Sequence, residues 1–271
     1  MAVTNGPQIA ISQINVEAGG GATAQASLND AAIRGLIGKG AGVQMAMSEW
    51  YGASADIEFV TSSFRQCTFS SNNRVISLTG LGIQAGDLVL VQSIAQGLGD
   101  VWTGSAGSGW VACDSSQGYV NYQTSFRYYK VMGSTVDTQF SLGVAEQSWI
   151  QSFNHPALVV VFRNTGSSPT NTAQYNDTSQ RNIFDPGAAS VANADSLHVI
   201  IGTRASFGIP SAQSGWTNIS HAQANSQSGG TYNNSVNLWY KLGVSAGSSD
   251  IGTVSYPGSY GRINSAQLIF N

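Results

Sequence analysis

The sequence predicts a mainly β protein, in which a small α+β module precedes a jelly-roll-like antiparallel β-sandwich. Short apolar or alternating runs, separated by Gly, Ser and Asn clusters, fill the chain from about residue 55 onward. Charged residues make up 9% of the chain, against about 25% in an ordinary soluble protein. The clear helical pattern lies near the amino terminus. We therefore divide the chain into residues 1–54 and 55–271.

Composition excludes several classes of protein. A chain of 271 residues buries about three quarters of its unfolded surface, so it needs no disulfide framework. Cys67 and Cys113 lack the spacing of a zinc site, and we expect two buried thiols, with an exposed disulfide as the alternative. A net charge of −3 without a basic cluster argues against nucleic-acid binding. Neither a secretory signal nor a membrane-spanning stretch is expected.

Residues 1–54, the amino-terminal module, are expected to form four short elements: two strands, a helix and a final turn. Isoleucines alternate with polar neighbours over residues 9–14, which favours a strand over a helix. Ser27 and Asp30 resemble a capping box and begin about three turns of predicted helix, which ends at Gly38. The letters "VQMAMS" predict a second strand before a final turn. So short a module has little core, so it is either a docked subdomain or an adaptor that partner chains stabilise.

From Asp56 onward the pattern is that of an antiparallel sandwich. Continuous apolar runs such as "LVLV" and "ALVVVF" predict strands at the centres of sheets, and alternating runs predict strands with one wet face. Residues 163–180 predict a long surface loop because they are rich in Asn, Ser and Thr. The predicted strands are "IEFVTSSF", "CTFSS", "RVISLTGL", "GDLVLVQSIAQ", "TSFRYYKVM", "TQFSLGV" and "HPALVVVFRN".

The β region repeats itself with an offset of roughly 105 to 111 residues. Four short words recur in the same order, and the copies suggest either two similar sandwiches or one body built from two related halves. We favour one body, since no clear linker follows the first copy. The paired words are "GDLVLV" and "DSLHVII", "SGW" and "SGW", "FRYYKV" and "NLWYKL", and "PALVVVF" and "SAQLIF".

The stretch "ATAQASLNDAAIRGLIGKGAG", followed by "MAMSEWYGAS", resembles a compact amino-terminal motif of minor structural proteins of tailed bacteriophages, among them tail fibre and baseplate-associated proteins. Trp50 stands where Phe is more usual in that family, and Glu49 where Asp is. The order of "GDLVLV", "SGWT" and "YYK" or "WYK" is also similar to phage tail β modules. The positions that match the phage motif are Ser27, Leu28, Asn29, Asp30, Arg34, Leu36, Gly42, Ser48, Tyr51 and Gly52.

The resemblance implies a virion protein of the tail, assembled in the host cytoplasm. It implies a tail fibre whose amino-terminal module binds other tail or baseplate proteins and whose sandwich contacts the host surface, as a homotrimer. The alternatives are a baseplate or capsid-decorating protein without receptor contact, a freestanding carbohydrate-binding module, and a depolymerase. The candidate attachment residues are Leu28, Asp30, Arg34, Leu36, Trp50 and Tyr51.

No constellation of residues indicates catalysis, so we expect no catalytic residues, no metal and no cofactor. His155, His198 and His221 each stand alone, and we expect structural roles for them. Zincin, EF-hand and nucleophile-elbow motifs are missing from the sequence. Gly104 to Trp110 has the glycine density of a phosphate loop but not its Lys-Ser/Thr ending, which favours a turn.

Binding to host surface polysaccharide is the chemistry that the loops favour. They carry amides for sugar hydroxyls and aromatic rings that can stack on a pyranose face. Trp110 and Trp216 belong to the repeated "SGW", which favours structural anchors over ligand contacts. The candidate glycan-binding residues are the non-repeated aromatics Trp102, Tyr119, Tyr122 and Tyr175.

Overall fold

The computed structural model describes residues 11–21, 25, 27–37, 39–40, 43–45, 57–70, 73–96, 106–113, 123–143, 155–165, 168–204, 208–227, 230–257 and 261–270. The chain divides into two compact units, Met1–Asp56 and Ile57–Asn271. The described residues of the first form two short helices, and the second, which we call the sandwich, is built of antiparallel strands. Within these ranges neither helix has the length or the apolar character to cross a membrane.

The first helix, α1, spans Ile11–Glu17, so the strand predicted over residues 9–14 is wrong. Ile14 is fully buried and packs with Ile33, and Ala18 lies against the same cluster. Ile14 and Ala18 are four residues apart, the spacing that brings side chains onto one face of a helix. The short alternation of isoleucines was compatible with both periods, and packing against Ile33 selects the helical one.

The second helix, α2, spans only Ala31–Gly35, shorter than the predicted three turns. Its N-cap is Asp30 rather than Ser27. Asp30 Oδ2 still accepts a hydrogen bond from the Ser27 backbone N–H at 2.9 Å, which is the reciprocal half of a capping box. Val43–Met45, the described part of the second predicted strand, has no regular structure.

The first sheet of the sandwich has seven strands in the order β4-β5-β3-β7-β1-β2-β6. An isolated bridge joins Ala106, ahead of β4, to Leu142 in β6, so the sheet curls until its two edges meet. The strands are β1 Glu58–Ser70, β2 Asn73–Ser77, β3 Leu88–Gln96, β4 Val111–Ala112, β5 Gln123–Val131, β6 Gln139–Gly143 and β7 His155–Arg163.

The second sheet has five strands in the order β12-β13-β11-β16-β8, and two small pairs, β10-β14 and β15-β9, accompany it. Its edge strand β8 falls in the stretch predicted as a surface loop, so that prediction is wrong. The strands are β8 Asn171–Arg181, β9 Ile183–Phe184, β10 Ala189–Val191, β11 Ser196–Arg204, β12 Thr217–Gln227, β13 Gly230–Val244, β14 Gly247–Ser249, β15 Val254–Ser255 and β16 Gly261–Phe270.

The sequence repeat corresponds to a repeat of topology. The order β4-β5-β3-β7-β1 in the first sheet matches β12-β13-β11-β16-β8 in the second, strand for strand. The turns before the two central strands also match, because Gly86 has φ 88° and Asp195 has φ 60°. Each repeat therefore forms one sheet, and the chain folds into one sandwich from two related halves.

An apolar layer between the two sheets holds the sandwich together. In β3, Leu88 and Leu90 face this inter-sheet layer, while Val89 and Val91 face the concave side of the first sheet. All four side chains are fully buried, as expected for a strand at the centre of a sheet. The second sheet contributes Leu197, Val199, Ile201, Val236, Leu238, Tyr240, Ala266, Leu268 and Phe270 to the inter-sheet layer.

Two aromatic contacts in this layer are copies of each other. Tyr129 of β5 meets Phe270 of β16 edge to face, with ring centroids 5.6 Å apart. Tyr240 of β13 meets Phe162 of β7 in the same way, at 5.1 Å. In each case a tyrosine of one half contacts a phenylalanine near the end of a strand of the other half, and the strands involved correspond between the halves. This reciprocity indicates an approximate two-fold relation between the sheets.

Candidate functional site

Arg34 organises the amino-terminal unit. Its side chain is 4% exposed, and Nε donates to the Gly40 carbonyl at 2.9 Å. Nη1 donates to Asn29 Oδ1 at 3.0 Å, and Nη2 donates to the carbonyls of Val43, at 2.7 Å, and of Gly40. The planar guanidinium fork can reach several acceptors at once, which a lysine cannot. Arg34 therefore ties the turn before α2 to the segment that follows the helix.

The other described attachment candidates surround the same core. Leu28 and Leu36 are partly buried against Ile14 and Ile33, and Asp30 is exposed and accepts from the Ser27 N–H. Of these four candidates, Arg34, Leu28 and Leu36 thus hold the unit together, and Asp30 presents a carboxylate to its surroundings. The last two candidates, Trp50 and Tyr51, lie outside the described residues.

Of the four predicted glycan-binding aromatics, the structure places one in strand β8. Trp102, Tyr119 and Tyr122 lie outside the described residues. Tyr175 belongs to β8, where its backbone is paired with Ser265, and its side chain is not among those described.

The tryptophans of the repeated "SGW" are anchors, as expected. Trp110 and Trp216 are each 9% exposed. Trp110 Nε1 donates to Asp137 Oδ2 at 2.9 Å, and Lys130 Nζ donates to the same oxygen at 2.7 Å. The Trp216 ring packs on His198 with centroids 4.7 Å apart. Both indole rings are therefore buried and make their contacts within the sandwich.

The exposed Phe64 and the partly buried His221 form a pair of rings on the sandwich that the sequence does not predict. Phe64 of β1 is 42% exposed, and its ring lies 4.6 Å from that of His221 in β12, tilted by 31°. We call these two rings the ring platform. A bulge between Phe59 and Thr61 shifts the register of β1, so that Phe59 and Phe64 both face the side of the inter-sheet layer. Regular alternation would put them on opposite faces, and the sequence carries no signal for the bulge.

Positions beside the ring platform on the same face of their strands include uncharged amides. Strand β12, "TNISHAQANSQ", contains no Asp, Glu, Lys or Arg. Gln66, two residues beyond Phe64 on the same face of β1, is exposed. Asn234 of β13 pairs with Gln223, two residues from His221. Asn234 is 1% exposed, and its Oδ1 and Nδ2 find no hydrogen-bond partner among the described residues.

The other two histidines are buried and electrically neutral near pH 7. Burial, together with the smaller effect of the nearby Arg74, lowers the pKa of His155 to about 3. Burial lowers the pKa of His198 to about 4, against smaller opposing effects from Gln267 and Asp250. Histidines with such low pKa values and no access to solvent are poor general acids or bases at neutral pH.

The cysteines are buried and are not joined by a disulfide. Burial raises the pKa of the Cys67 thiol to about 12, although Arg74 and Ser93 oppose that shift. Because the thiolate is the reactive form, Cys67 is protonated and inert at neutral pH. Within the described ranges no three His, Cys, Asp or Glu side chains are grouped so that they could hold a metal ion.

No family model, curated protein or solved structure matches the chain.

Proposed function

We propose that this protein is a non-enzymatic structural component of a bacteriophage tail. It is a tail fibre that attaches to the tail or baseplate through residues 1–54 and contacts the host cell surface with the sandwich, and it assembles as a homotrimer. The observation that carries the proposal is the set of contacts around Arg34. Asn29 and Arg34, two residues of the phage-like motif, bond to each other, and Leu28 and Leu36 pack beside them.

The small core of the amino-terminal unit supports an attachment role. Its described residues form one apolar cluster, in which just Ile14 and Ile33 are fully buried. A unit of this length can bury little apolar surface and gains stability from docking on a larger partner. A tail or baseplate protein would supply that partner.

The sandwich supports the distal role. Its core contains the described tryptophans Trp110, Trp216 and Trp239, and the chain as a whole has 25 charged residues, 11 basic and 14 acidic. A polar surface of few charges allows chains to pack closely around a three-fold axis without like-charge repulsion. The same surface presents amides and hydroxyls, which suit the hydroxyls of a host polysaccharide.

Immunogold electron microscopy tests the proposal. Antibodies to the full chain are applied to phage particles produced by the strain that carries the gene. We expect gold at the tail fibres, and light scattering of the purified chain should give the mass of a trimer. Gold at the capsid or within the baseplate alone would favour the decorating or baseplate alternative. Particles without gold would contradict a virion role and favour a freestanding carbohydrate-binding module.

A matched pair of phage variants tests the attachment site. Arg34→Ala removes the bonds to Asn29, Gly40 and Val43, so we expect particles that lack the label. Val111→Ala, which trims a side chain 47% exposed on the sandwich, should leave the label in place.

A further inference from the structure

We propose that the ring platform of Phe64 and His221 is a subsite for one sugar ring of a neutral glycan. This inference deepens the proposed function and rests on its contact with the host surface. The pyranose C–H face would stack on the exposed Phe64 ring, and its hydroxyls would bond to the amides around it.

The geometry of Phe64 is that of a ring held ready for a ligand. The inter-sheet layer buries most apolar side chains on this face of the first sheet, yet Phe64 remains 42% exposed. His221 packs against the ring at 4.6 Å and limits its rotation. A rigid flat ring loses little conformational entropy when a second flat surface stacks on it.

The platform is not a product of the repeat. Phe64 pairs with Leu158 in β7, and the corresponding residue in the second half is Gln174, which pairs with Ala266 in β16. The aromatic contacts that hold the sandwich together, by contrast, occur in both halves. An aromatic ring at this position is therefore not something that the sandwich requires.

Asn234 supplies the second observation. It is 1% exposed, and neither of its amide atoms bonds to any residue that the structure describes. A buried amide without partners is costly, so a bound water or a ligand must satisfy it. Asn234 lies on the same face as His221, one step along the β12-β13 register. Its donor and acceptor match paired sugar hydroxyls, reached through that water.

The chemistry around the platform favours a neutral sugar over a protein or a nucleic acid. A stable protein interface buries about 800 Å² on each partner and contains several apolar anchors. The other exposed apolar side chains described on the sandwich lie on different strands and loops, at Val111, Ile183, Ile209 and Leu242. Strand β12 has no charged residue to bind phosphate or an acidic sugar.

The test uses the full chain and arrays of neutral hexose and N-acetylhexosamine oligosaccharides, together with immobilised bacterial polysaccharides. The best oligosaccharide is then titrated against variants. We expect Phe64→Ala and Phe64→Leu to weaken binding by about ten-fold or more, which is about 1.4 kcal/mol. Phe64→Tyr keeps the ring and should bind normally, and so should Val111→Ala. The Asn234 side-chain amide resonance should shift on titration.

The outcomes separate this inference from the proposed function. Absence of binding on all arrays, or a Phe64→Leu variant that binds as well as the parent, would overturn the subsite, even if gold labels the phage tail. Binding that depends on the Phe64 ring would support the subsite, and particles without gold would then overturn the phage role alone.

Discussion

At the scale of the residue, two buried histidines are held in opposite ways. Both ring nitrogens of His155 lack a hydrogen-bond partner within the described part of the chain. The ring of His198 bonds to Ser249 Oγ at 2.8 Å and to Gln267 Oε1 at 3.1 Å. A buried polar atom without a partner costs free energy, whereas a satisfied one contributes modestly. The two residues should therefore respond differently to the same substitution.

We expect the free energy of unfolding to fall when the pH drops below about 6.5. In the unfolded chain His155 and His198 bind protons near that pH, but in the folded chain their pKa values are about 3 and about 4. Between these values the unfolded state binds more protons, so acid favours unfolding. Urea denaturation at pH 7, 6, 5 and 4 measures the effect, and a flat profile would contradict it.

Leucine variants measure how much of the acid sensitivity comes from each histidine. His155→Leu should reduce the acid sensitivity and leave stability at pH 7 unchanged or higher, because two unpartnered nitrogens disappear. His198→Leu should also reduce the acid sensitivity but cost about 1–3 kcal/mol at pH 7, since Ser249 and Gln267 lose a buried partner. Equal costs at pH 7 would show that the hydrogen bonds of His198 are not what distinguishes them.

At the scale of the element, the two "SGW" turns are alike in backbone and different in environment. Gly109 and Gly215 have φ values of 79° and 75°, the left-handed region that favours glycine. A Cβ on Gly109 would lie 3.2 Å from Lys130 Cε, whereas a Cβ on Gly215 meets no described atom within 4 Å. Lys130 also bonds to Asp137, the acceptor of Trp110.

Alanine at either glycine should therefore destabilise the sandwich by about 1 kcal/mol through the backbone alone. Gly109→Ala should cost more than Gly215→Ala, because Lys130 must move and its bond to Asp137 weakens. Midpoints of urea denaturation compare the two variants directly. A larger loss for Gly215→Ala would show that the Lys130 contact is not the deciding difference.

At the scale of the whole molecule, the sandwich contains its own core. The described apolar clusters of the second unit consist of residues that lie within 57–270. They fill the inter-sheet layer and also cover the opposite face of each sheet. Arg127, 1% exposed, adds a polar link across the layer by donating to Thr203 Oγ1 at 3.1 Å.

We expect a fragment of residues 57–271 to be soluble and folded, with the same urea midpoint as the second unit in the full chain. Circular dichroism and urea denaturation measure this. The full chain serves as the control, since its amino-terminal unit should unfold separately. Aggregation of the fragment, or a clearly lower midpoint, would show that the boundary at residue 56 is wrong.

Local sequence patterns predicted much of the architecture. The mainly β class, the central strands β3 and β7 and the two-copy organisation all follow from apolar runs and repeated words, because a buried strand needs such a run whatever lies beside it. The repeated "SGW" also predicted that Trp110 and Trp216 are anchors, and both are buried.

Tertiary structure decided what depends on distant partners. Residues 11–17 form a helix because Ile14 packs on Ile33, and residues 171–181 form a strand because β16 supplies backbone hydrogen bonds to a polar sequence. The bulge after Phe59 chose the face on which Phe64 lies. The sequence by itself determined the spacing of apolar residues within each segment. The fold decided the pairing and register of the strands, because those depend on residues far away along the chain.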